Sequence, residues 1–466
     1  MTHVHFIGIG GTGLSAIARL MLEMGYLVSG SDRVLSPFAE GLQRDGATVY
    51  IGHNAAHVAG ADWVVRSSAI PDDNPEIQEA RQRGIPVYKR ADFLGRLMEE
   101  KVGIAVAGAH GKTTTTGMIA WTLFALGRDP SFIIGSTLIN LRTNARAGKG
   151  RAFVIEADEY DRMFLGLKPR IAVVTNIEHD HPDCYPTFDD MYAAFQQFAA
   201  LLPQDGTLVA CIDDPAASNL MHELRGAGKG VLAYGLQGDA TLNSPQWMLA
   251  RNLQPNARGG FDFDAVSNLF PDTQSIHVSL QAPGRHNVQN SLAALAIASL
   301  LGLPPRKAAE ALGEFRGTGR RFEVIGDAHG VTIVNDYGHH PTEIKATLAA
   351  ARTRYPGRRV WAVWQPHTYS RTLALFDHFT TAFKEADEVI VTEIYASREA
   401  PQDFTGAMIV SSMRHPSARF IAKLDDAANY LLERLQPGDV LIVLSAGDAD
   451  QLSADVLARL PKSEEA

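Results

Sequence analysis

Between an apolar strand and a helix the chain reads Gly108-Ala109-His110-Gly111-Lys112-Thr113-Thr114, a combination suited to holding the phosphates of a nucleotide. Small residues let backbone N–H groups close on phosphate oxygens, Lys112 brings a point charge to the same group, and the Thr113 hydroxyl can hold Mg²⁺. A full Walker loop has another glycine five residues before Gly111; that position is Val106, so the match is to the tail of the motif. A strand-to-helix turn needed only for packing would explain neither Lys112 nor the run of threonines from Thr113 to Thr116.

Other stretches offer partners for such a site. The apolar run before Glu156 ends in Glu156, Asp158, Glu159 and Asp161, and the one before Asn176 ends in Asn176, Glu178, Asp180 and His181. Carboxylate oxygens and an imidazole beside a triphosphate suit Mg²⁺, which takes few protein ligands and keeps several waters. Asn287 and Asn290 lie three apart on one helical face, where amides can read a base edge or cap the helix. Near the start, Gly8, Gly10, Gly11, Thr12 and Gly13 open a helix, and Ser31 and Asp32 follow some twenty residues on, the pattern of a dinucleotide-type fingerprint. That fingerprint alone serves an NAD-dependent oxidoreductase equally well, but such an enzyme leaves Lys112 and Glu156 unexplained. A nucleotide-controlled binding switch, the other alternative, would hydrolyse ATP without any amino acid.

These groups need elements to position them. Short apolar strands alternate with helical segments through the first hundred residues, predicting a doubly wound α/β domain. A second unit carries the phosphate loop on its first strand, and a third alternates strands and helices again after the glycine-flanked stretch 315–322. The expected fold class is α/β in three domains: a Rossmann-like N-terminal domain (1–98), a central P-loop ATPase-like domain (99–316) and a C-terminal doubly wound domain (317–466). In the third, Asn335-Asp336-Tyr337, Gln365 through Arg371, Glu393 through Arg398 and Ser445 through Asp448 all follow strands, and four polar strand ends point to a binding face. His181 and His339 are candidate proton acceptors, because imidazole titrates near neutral pH. His340 and His415 read as structural. The segment 204–281 yields no chemistry.

Composition narrows the class. The 466 residues carry a net charge of −9, which disfavours a general role on nucleic acid or a membrane surface. Cys184 and Cys211 have no metal-type spacing, and no apolar run approaches the ~20 residues of a membrane span. The expectation is a cytoplasmic protein that binds no nucleic acid, does not insert in membranes, and is a monomer or weak homodimer.

Taken together and in this order, Gly8 to Ser15, Val28 to Asp32, His110 to Thr116, Glu156 to Asp161, Thr175 to Glu178 with Asp180-His181, Gly284 to Val288, Arg320 to Glu323, Asp336 to Glu343 and Ala446 to Asp448 resemble the Mur ligases over nearly the whole chain. The resemblance implies ATP-dependent joining of L-alanine to the lactyl carboxylate of UDP-N-acetylmuramate through an acyl phosphate, in peptidoglycan synthesis. The alternative is a recycling ligase that joins a ready-made tripeptide to the same sugar nucleotide. ATP is then a co-substrate and Mg²⁺ the cofactor, with Mn²⁺ as a substitute. Carried over by position, the resemblance assigns Gly8, Gly10, Gly11, Thr12, Gly13, Ser31, Asp32 and Ser68 to the UDP-sugar. Gly108 to Thr114, Asn287, Asn290, Arg321 and Asp336 go to ATP, and Thr113, Glu156 and His181 to the metal. Tyr337, His339 and Arg371 go to the amino acid, with Lys112, His181, His339 and Arg371 as catalytic groups. His179, Asn335 and Thr368 depart from residues common in the family at those positions.

Overall fold

The computed structural model describes residues 1–236 and 244–461, and their strands form three sheets. The first holds β1 (His3–Ile7), β2 (Leu27–Asp32), β3 (Thr48–Ile51), β4 (Trp63–Arg66) and β5 (Val87–Lys89), all parallel, in the order β3-β2-β1-β4-β5. Strand order reverses beside β1, and at such a switch point the sheet opens a crevice beyond its strand ends. The glycine turn leaves β1 at that crevice. The helix Thr12–Glu23 starts within the fingerprint, so Thr12 and Gly13 belong to its first turn, where no side chain caps the amides.

The second sheet comprises β6 (Val102–Ala107), β7 (Ser131–Leu138), β8 (Thr143–Arg146), β9 (Ala152–Glu156), β10 (Ile171–Val174), β11 (Thr207–Cys211), β12 (Gly230–Gly235), β13 (Gln246–Pro255), β14 (Phe261–Ser267) and β15 (Ser275–Ser279). Its order is β15-β14-β13-β12-β11-β10-β6-β9-β7-β8, with β6 between β10 and β9, both parallel to it. Strands covered on both faces must be apolar throughout, which is why β6 and β10 read as unbroken runs of Val, Ile, Ala and Gly. The ends of β6, β9 and β10 therefore deliver the phosphate loop, the 156–161 carboxylates and the 176–181 cluster to one edge. The helices Lys112–Ala125 and Arg285–Leu300 pack against each other and are buried on nearly every side.

The third sheet runs β16-β17-β21-β18-β19-β20, with β16 (Glu323–Ala328) antiparallel to β17 (Val331–Asp336) and the others, β18 (Val360–Gln365), β19 (Glu388–Val391), β20 (Ala418–Phe420) and β21 (Val440–Ser445), parallel. The first two sheets share one buried cluster, with Phe6, Ile17 and Phe93 in contact with the set containing Ala105, Phe164 and Phe195. The third sheet keeps its own cores. Its junction with the central sheet is polar: Arg371 to Asp180 at 2.8 Å, Arg398 to Asp183 at 2.7 Å, and the Thr342 hydroxyl donating to Glu178 at 2.8 Å. Polar interfaces of this kind reopen more cheaply than shared apolar cores. Among the described residues no helix is long and apolar enough to cross a membrane.

Candidate active site at the junction of the central and third sheets

A cavity of about 690 Å³ lies against the phosphate loop, lined by His110, Gly111 and Thr113 at one end and closed by Arg321, Asp336 and Glu343 of the third sheet. Backbone geometry makes the loop. Gly108 and Gly111 take φ values of 146° and 81°, and a Cβ on Gly108 would overlap the Thr175 hydroxyl. The loop is then pinned from outside: the His110 N–H donates to Asn176 Oδ1 at 2.9 Å, and Thr175 Oγ1 donates to the His110 carbonyl at 2.6 Å.

The structure gives the carboxylates of 156–161 different partners. Glu156 accepts the Thr113 hydroxyl at 3.0 Å and the Gly135 N–H at 2.7 Å. Burial pushes its carboxyl up, against the opposing pull of Lys112 and the Gly135 N–H. Asp158 faces Arg90 of the first domain at 3.4 Å. Glu159, quoted in the motif but given no role, pairs with Lys112 at 2.8 Å and is 1% exposed, with Oε2 unpartnered. The Lys112 ammonium also donates to the Gly108 carbonyl at 2.5 Å. His181, in a left-handed turn at φ 56°, stands 3.6 Å from Glu159 and not beside Glu156. Despite burial, Glu159 and Asp180 raise its pKa.

Asp180 is the centre of a second cluster. It takes the Arg371 Nε at 2.8 Å, with His181 Nε2 at 3.7 Å and His339 Nε2 at 3.9 Å. Although burial opposes it, Arg371 and His339 hold the Asp180 carboxyl well below the usual carboxylate range. Arg371 Nη1 and Nη2 face His367 Nδ1 at 3.2 Å and His181 Nδ1 at 3.4 Å. Burial, then His339 and Arg371, lowers His367 to about 3, so it stays neutral and accepts from Arg371. Sequence reading missed it, although it stands four residues before Arg371 in the chain. His339 Nδ1 lies 3.0 Å from the Tyr337 carbonyl, and its Nε2 faces the Asp180 carboxylate at 3.9 Å. The Tyr337 ring stands under the guanidinium groups of Arg320 and Arg321, at 4.9 and 5.0 Å.

Asn287 and Asn290 line the cavity and are joined to each other at 3.0 Å, and Asn290 Oδ1 backs onto Gly111. Cys211, Asp213, Tyr234 and Gln281, from the segment read as silent, line the same end. No local signal could have found them, because only the order of strands in the sheet brings β11 and β12 there. Asp336 spends both oxygens on the Phe322 and Gly338 N–H groups at 2.8 and 2.7 Å, shaping the turn that carries Arg321. The strand ends of the third sheet bring His339, Arg371 and Arg398 to Asp180 and Asp183 of the central domain, while other polar groups there hold loops. Gln365 accepts from Ser445 Oγ and the N–H groups of Asp448 and Ala449, and Glu393 holds Ile394 and Gly406, so these polar groups clamp loops.

In the first domain the Gly10 N–H donates to Asp32 at 2.8 Å, and the Gly8 N–H to the Ser31 carbonyl at 2.8 Å. Gly11, Thr12 and Gly13 stand at the start of the helix Thr12–Glu23. The Ser31 side chain is a correction: fully buried, it donates to Glu76 at 2.6 Å and offers nothing to a ligand. Ser68 lines a separate cavity of about 290 Å³ with Arg90 and Arg162.

His110 lies between two carboxylates, Glu178 at 2.8 Å and Glu343 at 3.3 Å, with the His340 ring centroid 4.6 Å from its own. These imidazoles and Glu178 have metal-like spacing. His340 Nδ1 accepts the Thr342 N–H at 3.3 Å, and the two carboxylates favour the imidazolium form of His110. Burial works against that charge, but Glu343 and Glu178 outweigh it and raise His110 to about 9. A folded pKa above the unfolded value of 6.5 gives stability that is complete below 6.5 and is lost as pH rises through about 9. The melting-temperature advantage of the native chain over His110→Asn is therefore expected to shrink between about pH 7 and pH 10. A constant difference over that range in thermal melts would mean that His110 is neutral in the fold.

Residues 3–102 match the Mur ligase family catalytic domain, 106–298 the Mur ligase middle domain, and 320–447 the glutamate ligase domain of the Mur ligases. The UDP-N-acetylmuramate–L-alanine ligase of Acidithiobacillus ferrooxidans is 45% identical over 458 residues, 97% of this chain and 96% of that protein. The enzyme of the same name from Caldanaerobacter subterraneus is 42% identical over 96% of this chain and 95% of its own. Among solved structures, the UDP-N-acetylmuramate–alanine ligase of Thermotoga maritima superposes with a TM-score of 0.79 at 28% identity, covering 98% of this chain and 99% of that one. A murein peptide ligase from Psychrobacter arcticus gives 0.69 at 26% identity over 98% of each chain.

Proposed function

This chain belongs to the Mur ligase family, and from that premise we propose that it joins L-alanine to the lactyl carboxylate of UDP-N-acetylmuramate at the expense of ATP. The observation that carries the reading is an unbroken line of contacts from the phosphate loop to the Arg371 cluster: His110 to Glu343, Glu343 to His339, His339 to Asp180, and Asp180 to Arg371. ATP and an amino acid held at its two ends would meet one carboxylate between them. The relatives named above favour L-alanine over a tripeptide, both by identity over the whole chain and by the higher TM-score.

A carboxylate is a poor electrophile, so its oxygen must first attack the γ-phosphorus of ATP, giving an acyl phosphate and ADP. The amine of L-alanine then attacks the acyl carbon, and phosphate leaves. Lys112 and Arg321 oppose the charge that develops on the transferring group, the dominant form of catalysis in phosphoryl transfer. For Lys112 this means exchanging Glu159 and the loop carbonyls for phosphate oxygens. His339 Nε2 or His181 takes the ammonium proton, since only a neutral amine is nucleophilic. Docking of the third domain excludes water that would hydrolyse the acyl phosphate.

The donor set beside the loop, the Thr113 hydroxyl and the half-buried Glu156 carboxylate, fits Mg²⁺, with His181 and Glu159 as a further donor pair nearby. Bound there, the ion would neutralise phosphate charge. Glu156→Gln is expected to raise the Mg²⁺ concentration needed for half-maximal turnover while leaving the melting temperature unchanged. Unaltered magnesium dependence would place Glu156 outside the metal shell.

The decisive experiment is phosphate release from ATP and UDP-N-acetylmuramate with L-alanine, glycine, L-serine and the tripeptide offered separately. Preference for the tripeptide would transfer the chain to the recycling reaction.

A further inference from the structure

Glu343 has no part in the reaction drawn above, yet three working parts of the site meet on it. It is the third residue of the helix Pro341–Arg354 and completes a capping box with His340. Its Oε2 accepts the N–H groups of His339 and His340 at 3.0 and 3.3 Å. Capping uses that oxygen alone. The other, Oε1, reaches out of the helix to His110 Nδ1 and Arg321 Nη1, each at 3.3 Å. His110 belongs to the phosphate loop across the domain junction, and Arg321 lines the same cavity. The carboxyl stays ionised well below the usual range, because His339, His110 and Arg321 together outweigh its burial.

The central domain fixes the backbone of the loop at His110 through Asn176 and Thr175. It supplies only one of the two anions that aim the His110 ring, Glu178. The second comes from the third domain. Arg321 sits in a turn flanked by left-handed Arg320 and Phe322, at φ 56° and 44°, so its backbone is set while its side chain depends on Glu343 and the Tyr337 ring. We propose that Glu343 is a positioning residue that brings the phosphate loop and Arg321 into register only while the third domain is docked, so that nucleotide meets a finished site in the closed molecule alone.

The competing explanation is that Glu343 merely caps a helix, and one substitution separates the two. Glutamine serves in a capping box as glutamate does but carries no charge. Glu343→Gln is expected to keep the circular-dichroism spectrum of the native fold and the KM for UDP-N-acetylmuramate. The KM for ATP and the Kd of a fluorescent ATP analogue should rise roughly ten- to a hundredfold, the range for losing charge-assisted hydrogen bonds. His110→Asn should give a similar loss, and the double variant should be no worse than either single one, as expected of groups that act through one another. Native nucleotide affinity in Glu343→Gln, or losses that add in the double variant, would overturn the proposal. Should Glu343→Gln melt early, the double variant with His110→Asn decides: losses of nucleotide affinity that do not add support the coupling, and additive losses refute it. The inference rests on the ATP-dependent reaction proposed above. A native chain that binds the analogue but releases no phosphate with any amine would refute that reaction and leave this binding test intact.

Discussion

Lys112→Ala is expected to lower ligation by roughly a hundred- to a thousandfold, the loss typical when one group facing transition-state charge is removed. The structure adds a second effect that the sequence did not foresee. Glu159 is 1% exposed and Lys112 is its nearest cation, so the substitution strands a buried carboxylate. Breaking such a pair from one side costs about 3–5 kcal/mol. Lys112→Ala should therefore melt early as well as turn over slowly. Adding Glu159→Gln removes the stranded charge, and the double variant should regain most of the melting temperature while remaining inactive. Recovery of turnover along with stability would mean that Lys112 serves the fold rather than the phosphate. More than about a tenth of native turnover in the single variant would say the same.

Arg371→Lys should raise the KM for L-alanine by roughly ten- to a hundredfold with little change in the KM for ATP. Charge-assisted hydrogen bonds are worth about 1.5–3 kcal/mol, which converts to that range. The geometry explains the choice of substrate. Arg371 Nε is committed to Asp180, while Nη1 and Nη2 point at imidazole nitrogens that a carboxylate can displace. A lysine offers one point charge, and Asp180 would claim it, leaving no fork for the amino acid. A rise confined to the KM for UDP-N-acetylmuramate would instead place Arg371 on the sugar nucleotide and return the amino acid to Tyr337, His339 and Arg398.

Much of this site was legible in the order of residues. Lys112 and Thr113 read as part of a phosphate loop because backbone closure, charge and hydroxyl must be adjacent in the chain to act on one phosphate. The glycines from Gly8 to Gly13 do the same for a strand-to-helix turn. The sequence could not apportion Glu156, Asp158 and Glu159, since residues at the end of a strand fan out to different neighbours. Their partners Thr113, Arg90 and Lys112 come from other elements. Ser31 looked available for a ligand because its position matched, whereas the buried Glu76 on a later helix claims its hydroxyl.

Local chemistry along the chain thus determined two things: the alternating strands and helices, and the turns that need glycine. Each depends on residues within one strand and one helix of each other. Tertiary structure alone decided which charges far apart in the chain are paired. Asp180 and Arg371 are 191 residues apart in sequence, and Lys112 and Glu159 are 47 apart. Sheet order brings the strand ends together, and docking of the third domain brings Glu343 to His110. Electrostatic pairing acts through space, falling off with distance and strengthening with burial, so it is fixed by packing and carries no signature in the spacing of residues along the chain.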